Sequence, residues 1–203
     1  MPKPTRVEEN KLYRQGISLV AGVDEVGRGA WAGPLVAAAV ILPQRVRIKG
    51  IDDSKKLQPA IREKLYKIII AKSIAYSVSV IPRAKIDKYG ITYANRQAII
   101  NSVLQLSVKP EYVLIDHFLV GTDIFLSKSI SKGDTKVVSI AAASIIAKVT
   151  RDRMMVDYHR RFPNYKFHLN KGYGTSQHRK DLRRYGLCVQ HRLSFSPMQV
   201  MNK

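Results

Sequence analysis

Residues 34–42, Pro-Leu-Val-Ala-Ala-Ala-Val-Ile-Leu, form an almost unbroken apolar run. A strand wetted on one face alternates apolar with polar side chains, because successive side chains point to opposite sides. A run without that alternation is expected of a strand covered on both faces. The chain must therefore supply helices for two sides of a sheet. Residues 59–71 carry Ile61, Leu65, Ile68 and Ile69 at helical spacing. Residues 137–161 read as one long helix, and Ala141-Ala142-Ala143-Ser144 would let it lie close against a sheet.

Residues 17–26 read as a first strand, rich in Val and Ile and broken by Gly27-Arg28-Gly29. Residues 75–81 set Ala, Ser and Ser against Tyr, Val and Val, the period of a strand. Pro82 suits the first turn of a short helix, and 91–106 continue as a longer one. Residues 112–116 form a short buried strand ending on Asp116, and a weaker strand lies within 123–130, before the Gly133-Asp134 turn. Thr175 is placed to cap a basic helix that runs through Arg184 and stops at Gly186. This order predicts an α/β protein with a mixed central sheet of about five strands, flanked by helices and followed by a helical C-terminal region. With no repeat or long linker visible, 1–203 read as a single catalytic domain, with about 164–203 a basic C-terminal extension packed on it.

Charge narrows the partners. Lys plus Arg number 35 against 15 Asp plus Glu, a net charge of +20. Such an excess favours a polyanion, through steering and counterion release. Beyond Arg151, basic residues far outnumber Asp152, Asp157 and Asp181, so this region is expected to track a nucleic-acid backbone. The most apolar stretches, 31–42 and 137–149, fall short of the ~20 residues of a membrane span. The lone Cys188 excludes an internal disulfide and fits a reducing compartment. Residues 1–10 hold no apolar signal core. A soluble, cytoplasmic protein without membrane attachment is expected.

In so basic a chain, acids at strand ends invite cations. Asp24 and Glu25 are neighbours at a strand end, where regular geometry sends them to opposite faces. The glycines that follow give the freedom to bring both to one ion, although a salt-bridged surface turn fits the same pair. Asp116 ends an apolar strand, where α/β sheets place ligands, and also suits a turn or cap. Asp152 follows Lys148 by four residues on the long helix, as an i,i+4 ion pair would. Asp52 and Asp53 read as a helix-start cluster, and Asp134 as a turn or cap residue. Carboxylates suit Mg²⁺ or Mn²⁺, and together they point to two-metal phosphodiester hydrolysis, with ions roughly 4 Å apart. Crowded carboxylates raise one another's pKa, which bound cations would offset.

With these residues in place, the chain resembles ribonuclease HII, the type 2 ribonuclease H family, from about Leu19 to Pro197. The resemblance rests on an ordered set of segments: Gly22-Val23-Asp24-Glu25-Val26-Gly27-Arg28-Gly29, Ala32-Gly33-Pro34, Asp53-Ser54-Lys55-Lys56-Leu57, Leu114-Ile115-Asp116 and Lys132-Gly133-Asp134. It continues through the stretch from Ser139 to Asp152, Gly172-Tyr173-Gly174-Thr175 and His191-Arg192-Leu193-Ser194-Phe195. It implies a ribonuclease H-like fold and Mg²⁺- or Mn²⁺-dependent endonuclease activity on the RNA strand of RNA–DNA hybrids. It also implies cleavage on the 5′ side of single ribonucleotides embedded in duplex DNA, leaving 3′-hydroxyl and 5′-phosphate ends, with a role in ribonucleotide removal during DNA replication and repair. A monomer is the family's habit.

By position, Asp24, Glu25, Asp116 and Asp152 match the family's catalytic, metal-holding acids. Gly27, Arg28 and Gly29 match the segment that reads the ribose 2′-hydroxyl, and Tyr173 the tyrosine that packs on the junction sugar. Lys55, Ser139 and Lys148 are expected to touch phosphate. One position departs from the family: His117 stands where glycine is common, and is expected to point away from the metals. The sister type, ribonuclease HIII, carries an extra N-terminal domain, for which the roughly 18 residues before the first strand leave no room. A junction-resolving nuclease lacks these ordered segments, and a non-catalytic nucleic-acid binder leaves the strand-end acids unexplained.

Overall fold

Every residue of Leu35–Ile41 is buried, as its unbroken apolar sequence predicts, in a computed structural model that describes residues 3–201. This strand, β2, lies antiparallel between β1 (Val20–Val26) and β3 (Ala75–Ile81). On its other side β1 pairs in parallel with β4 (Tyr112–Asp116), and β4 in parallel with β5 (Ser127–Ile130). The mixed sheet has the order β3-β2-β1-β4-β5. Its flanking helices match the expected α/β layering.

Strand alternation divides the core in two. Ala21, Val23, Leu35, Ala37, Ala39 and Ile41 pack against the face covered by α3 (Arg83–Tyr89) and α4 (Ile91–Leu104). Val36, Ala38 and Val40 meet α2 (Pro59–Lys72) and the 24-residue α5 (Val138–Arg161). Truncating a fully buried isoleucine here, such as Ile145, is expected to cost about 2–5 kcal/mol. Helix α5 runs so close to β1 that a Cβ on Gly22 would sit 2.1 Å from the Ser139 carbonyl carbon. That contact fixes α5 beneath the strand that carries Asp24.

Several boundaries differ from expectation. The first strand begins at Val20, and β5 keeps only four residues of the span 123–130. In β3 the small residues Ala75, Ser77 and Ser79 face inward, while Tyr76 and Val80 face out. An N-terminal helix, α1 (Val7–Arg14), has no counterpart in the sequence reading. It carries the wholly buried Glu9, whose carboxylate accepts the Ser139 N–H at 2.9 Å. The N-cap of α5 is Val137, which has no side-chain oxygen, so Glu9 takes over the capping role from another helix.

The C-terminal region comprises α6 (Phe167–Asn170), α7 (Ser176–Tyr185) and α8 (Ser196–Met201). Phe167, Leu182 and Met198 pack with Ala32 and Met155 in a third cluster. Thr175 caps α7 by accepting the His178 N–H, and Gly186 ends that helix at φ +70°. Among the described residues no helix is long and apolar enough to cross a membrane.

Candidate metal and nucleic-acid site

Three acids from three segments meet at one end of the sheet. Asp24 lies near the carboxyl end of β1, and Asp116 ends β4, its parallel neighbour. The register pairs Val23 with Ile115, so the two acids that follow stand side by side. Asp134 comes from a single 3-10 turn, Gly133–Thr135, just after β5. One carboxylate oxygen from each of the three lies within 4.8 Å of the others. The Gly133 N–H donates to Asp116 Oδ1 at 2.6 Å, tying the turn to the strand end. A Cβ on Gly133 would lie 2.6 Å from Ile140 Cδ1, so glycine lets the turn close over α5.

Burial makes these negative charges expensive. Asp24 is pushed well above the usual carboxylate range by desolvation, then by the charges of Glu25 and Asp116. Asp116 is raised by desolvation and by Asp134, against the Gly133 N–H. Glu25 rises to about 7, through desolvation and then Asp116, with Arg28 and Asn95 opposing. Burial alone would lower Lys55, but the charges of Asp134 and Asp24 outweigh it, and its ammonium stands 3.3 Å from Asp134 Oδ2. A largely buried, oxygen-only cluster with no histidine or cysteine among its members fits a hard divalent cation.

Of the four acids expected to hold metal, the structure gathers Asp24 and Asp116 and sets the other two apart. Glu25 faces the α4 side of β1, as strand alternation requires, with its Oε2 buried and unpartnered among the described residues. It remains close enough to feel Asp116. Asp152 is not in the cluster. Its carboxylate accepts from Lys148 Nζ at 2.8 Å and lies 3.6 Å from an Arg62 nitrogen. The reason is helical rise. Ser144 is the α5 residue beside Asp24, and Asp152 comes eight residues later, roughly 12 Å along the axis. The third place belongs to Asp134, which the sequence reading assigned to a turn. It is a turn residue and a cluster member at once. The signal available was an acid beside a glycine in a chain short of acids.

The expected phosphate contacts fare unequally. Lys55 reaches the cluster with an exposed side chain. Lys148 is turned toward Asp152. Ser139 is sealed between Gly22 and α1, with its Oγ buried and unpartnered among the described residues, so it cannot touch a phosphate in this arrangement.

Beside the acids, Gly27 adopts φ +91° and turns the chain into the exposed Arg28 and Gly29. Among the described residues nothing lies within 4 Å of the place where a Gly29 Cβ would be, so this stretch of main chain is open to a ligand. Tyr173 lies on the same side, with the Arg151 guanidinium 5.3 Å from its ring centroid. His117 is exposed and adopts φ +48°, a left-handed conformation that glycine accepts most readily.

The ribonuclease HII family model matches residues 21–198. A ribonuclease HII of Acidothermus cellulolyticus is 50% identical over 189 residues, covering 92% of this chain and 62% of that protein. One from Bacillus cytotoxicus is 49% identical over 195 residues, covering 96% of this chain and 75% of that protein. The chain thus spans between three fifths and three quarters of these relatives. Among solved structures, ribonuclease H2 of Pyrococcus horikoshii superposes with TM-score 0.77 at 26% identity, over 90% of this chain and 96% of that one. The ribonuclease HII in a PCNA complex from Archaeoglobus fulgidus gives 0.75 at 26%, over 88% and 95%. A ribonuclease HIII crystallised with Mn²⁺ gives 0.70 at 21%, over 92% and 70%, a likeness of fold.

Proposed function

The chain belongs to the ribonuclease HII family, and we propose that it is a divalent-metal-dependent endonuclease acting on the RNA strand of RNA–DNA hybrids. We assign it cleavage on the 5′ side of a lone ribonucleotide in duplex DNA as well, leaving 3′-hydroxyl and 5′-phosphate ends, in the removal of ribonucleotides during replication and repair. The observation that carries this reading is the meeting of Asp24, Asp116 and Asp134 beside an open Gly-Arg-Gly segment. Three buried acids gathered on a chain of charge +20 are suited to holding cations against phosphate.

Asp24, Asp116 and Asp134 would hold the metal, with Glu25 at the edge of the site. Bound Mg²⁺ or Mn²⁺, two ions in this reading, supply activation of a water and neutralisation of the leaving 3′-oxygen. The protein's own groups do the rest. Glu25, with its pKa near 7, is poised to exchange a proton at neutral pH. Lys55 and Arg28 place positive charge beside the acids, where a phosphate would lie. The main chain of Gly27–Gly29 reads the 2′-hydroxyl, the group that separates RNA from DNA, and Tyr173 packs on the junction sugar. The basic α7 follows the duplex backbone. The reading takes residues 1–203 as one catalytic domain, with about 164–203 packed on it, working as a cytoplasmic monomer.

Labelled duplexes test it. A duplex with one ribonucleotide, an RNA–DNA hybrid, an all-DNA duplex and an RNA–RNA duplex are each incubated with Mg²⁺, Mn²⁺ or chelator. Cutting of the first two alone, only with metal and leaving 3′-hydroxyl ends, is expected. Cutting of all-DNA duplex, or cutting that survives chelation, would overturn the proposal.

A further inference from the structure

Two arginines, Arg151 on α5 and Arg192 near the C-terminus, are wholly buried, and neither makes an ion pair among the described residues. Their partners are main-chain carbonyls. Arg151 donates from Nε to Pro34 O at 2.9 Å, from Nη2 to Ala32 O at 3.1 Å and from Nη1 to Lys171 O at 2.9 Å. Arg192 donates from Nε to Gly33 O and from Nη1 to Arg28 O, both at 3.0 Å. Its Nη2 is buried with no partner among the described residues. All five carbonyls lie in 28–34 or at Lys171, the two segments that flank Gly29 and Tyr173.

The surrounding main chain is built around the same two groups. The Arg192 N–H donates to Trp31 O at 2.8 Å, and the Trp31 N–H to Gly172 O at 2.8 Å, which joins the segments directly. A Cβ on Gly27 would lie 2.2 Å from Arg151 Nε, and one on Gly172 2.4 Å from Ala32 O. Burial, followed by the charge of Arg151, lowers Arg192 to about 9. Two buried like charges, with Asp152 and Asp87 acting on them only from beyond ion-pair distance, are costly, and hydrophobic residues would fill the space more cheaply. A planar fork of fixed donors offers something a hydrophobe or a lysine cannot: it sets several carbonyls at once in one geometry.

We infer that Arg151 and Arg192 are paired positioning residues, holding Arg28–Pro34 and Lys171–Tyr173 at one spacing so that the ribose-reading main chain and Tyr173 act as a single gauge. This rests on the function proposed above. Reading a 2′-hydroxyl needs placement to a fraction of an ångström, and among the described residues nothing packs where a Gly29 Cβ would be to supply it.

The test compares Arg192→Lys, Arg151→Lys and Arg192→Ala with wild type. For the lysine variants, kcat on a single-ribonucleotide duplex should fall by ~100-fold, with duplex affinity and the Mn²⁺-induced melting shift kept. Amide hydrogen exchange over 28–34 and 171–173 should quicken by roughly tenfold without global unfolding. Free guanidinium should restore part of the activity of Arg192→Ala. Where that variant does not fold, the lysine variants decide. Unchanged kcat per folded molecule, or unchanged exchange in these segments, overturns the inference. The exchange measurement needs no substrate. A wild-type protein that cuts no ribonucleotide therefore overturns the proposed function, while exchange still decides whether the two arginines hold these segments.

Discussion

The carboxylate of Asp152 accepts a hydrogen bond from the ammonium of Lys148 at 2.8 Å, one turn earlier on α5. Arg62 approaches the second oxygen, and its Nη1 also donates to the carbonyls of Ser54 and Leu57. Asp152 thus braces the loop that carries Lys55, some distance from the gathered acids.

Asp152→Asn should therefore keep the rise in melting temperature that millimolar Mn²⁺ gives the wild type, whereas Asp134→Asn should lose most of it. Thermal melts with and without Mn²⁺ decide. A ligand lost from the site removes the linkage between metal and folding, and a lost brace does not. The reverse pattern would restore Asp152 to the metal site.

A second prediction concerns pH. Glu25 titrates near 7 in the fold against 4.5 ordinarily. A raised carboxylate favours the folded state at low pH, and that contribution disappears as pH rises from about 4.5 through 7. At most about 3 kcal/mol is at stake for the metal-free protein. Glu25→Gln should flatten this part of the stability curve, as denaturant melts in chelator at pH 5 and pH 8 would read. An equal slope in both proteins contradicts the assignment.

The acidic cluster also illustrates what could be read from the chain. Apolar patterning places β2, β3 and α2, because burial on two faces leaves a run, burial on one face of a strand leaves an alternation, and one buried helix face leaves Ile61, Leu65, Ile68 and Ile69 at helical spacing. It does not place Asp134 beside Asp24, since that meeting depends on parallel pairing and on a turn closed over Ile140. Resemblance brings Asp152 forward, whereas local spacing favours its ion pair with Lys148, and the structure contains that pair. Helix α1 escaped notice because its one buried side chain is charged. Glu9 reads as surface until its partner, the N-terminus of α5, is known.

The buried imidazoles of His178 and His191 make a third case. Their Nε2 atoms lie 3.1 Å apart, His178 Nδ1 faces the Tyr173 carbonyl, and His191 Nδ1 accepts the Cys188 N–H. One arrangement satisfies these three contacts, with both rings neutral and His191 donating to His178, while the Cys188 carbonyl, 3.2 Å from His191 Nδ1, receives no proton from the ring. Tyr165 and Phe167 pack on the pair, Trp31 stands beside His178, and the charge of Asp181 acts on it. His191 is depressed to about 4 by burial and then by His178. A depressed histidine stabilises the fold above pH 6.5, and that contribution is lost as pH falls toward 4. Wild type should lose roughly 3 kcal/mol more across this window than His191→Gln. Parallel melts that track each other would contradict it.

The two glycines of the reading segment should separate. Gly27→Ala meets both a positive φ and the Arg151 guanidinium, so it should unfold at markedly lower temperature. Gly29→Ala meets nothing, so it should melt like wild type while cleaving ribonucleotide-containing duplex poorly. Matching melting curves for the two variants would count against the described turn.

The most direct measurement follows cleavage and binding of one RNA–DNA hybrid by wild type and Asp116→Asn in the same Mg²⁺ buffer. Loss of cleavage by at least ~100-fold with hybrid affinity retained is predicted, because the variant removes a metal-holding oxygen and leaves the basic surface intact. Cleavage that persists at the wild-type rate would show that these gathered carboxylates do not perform the reaction.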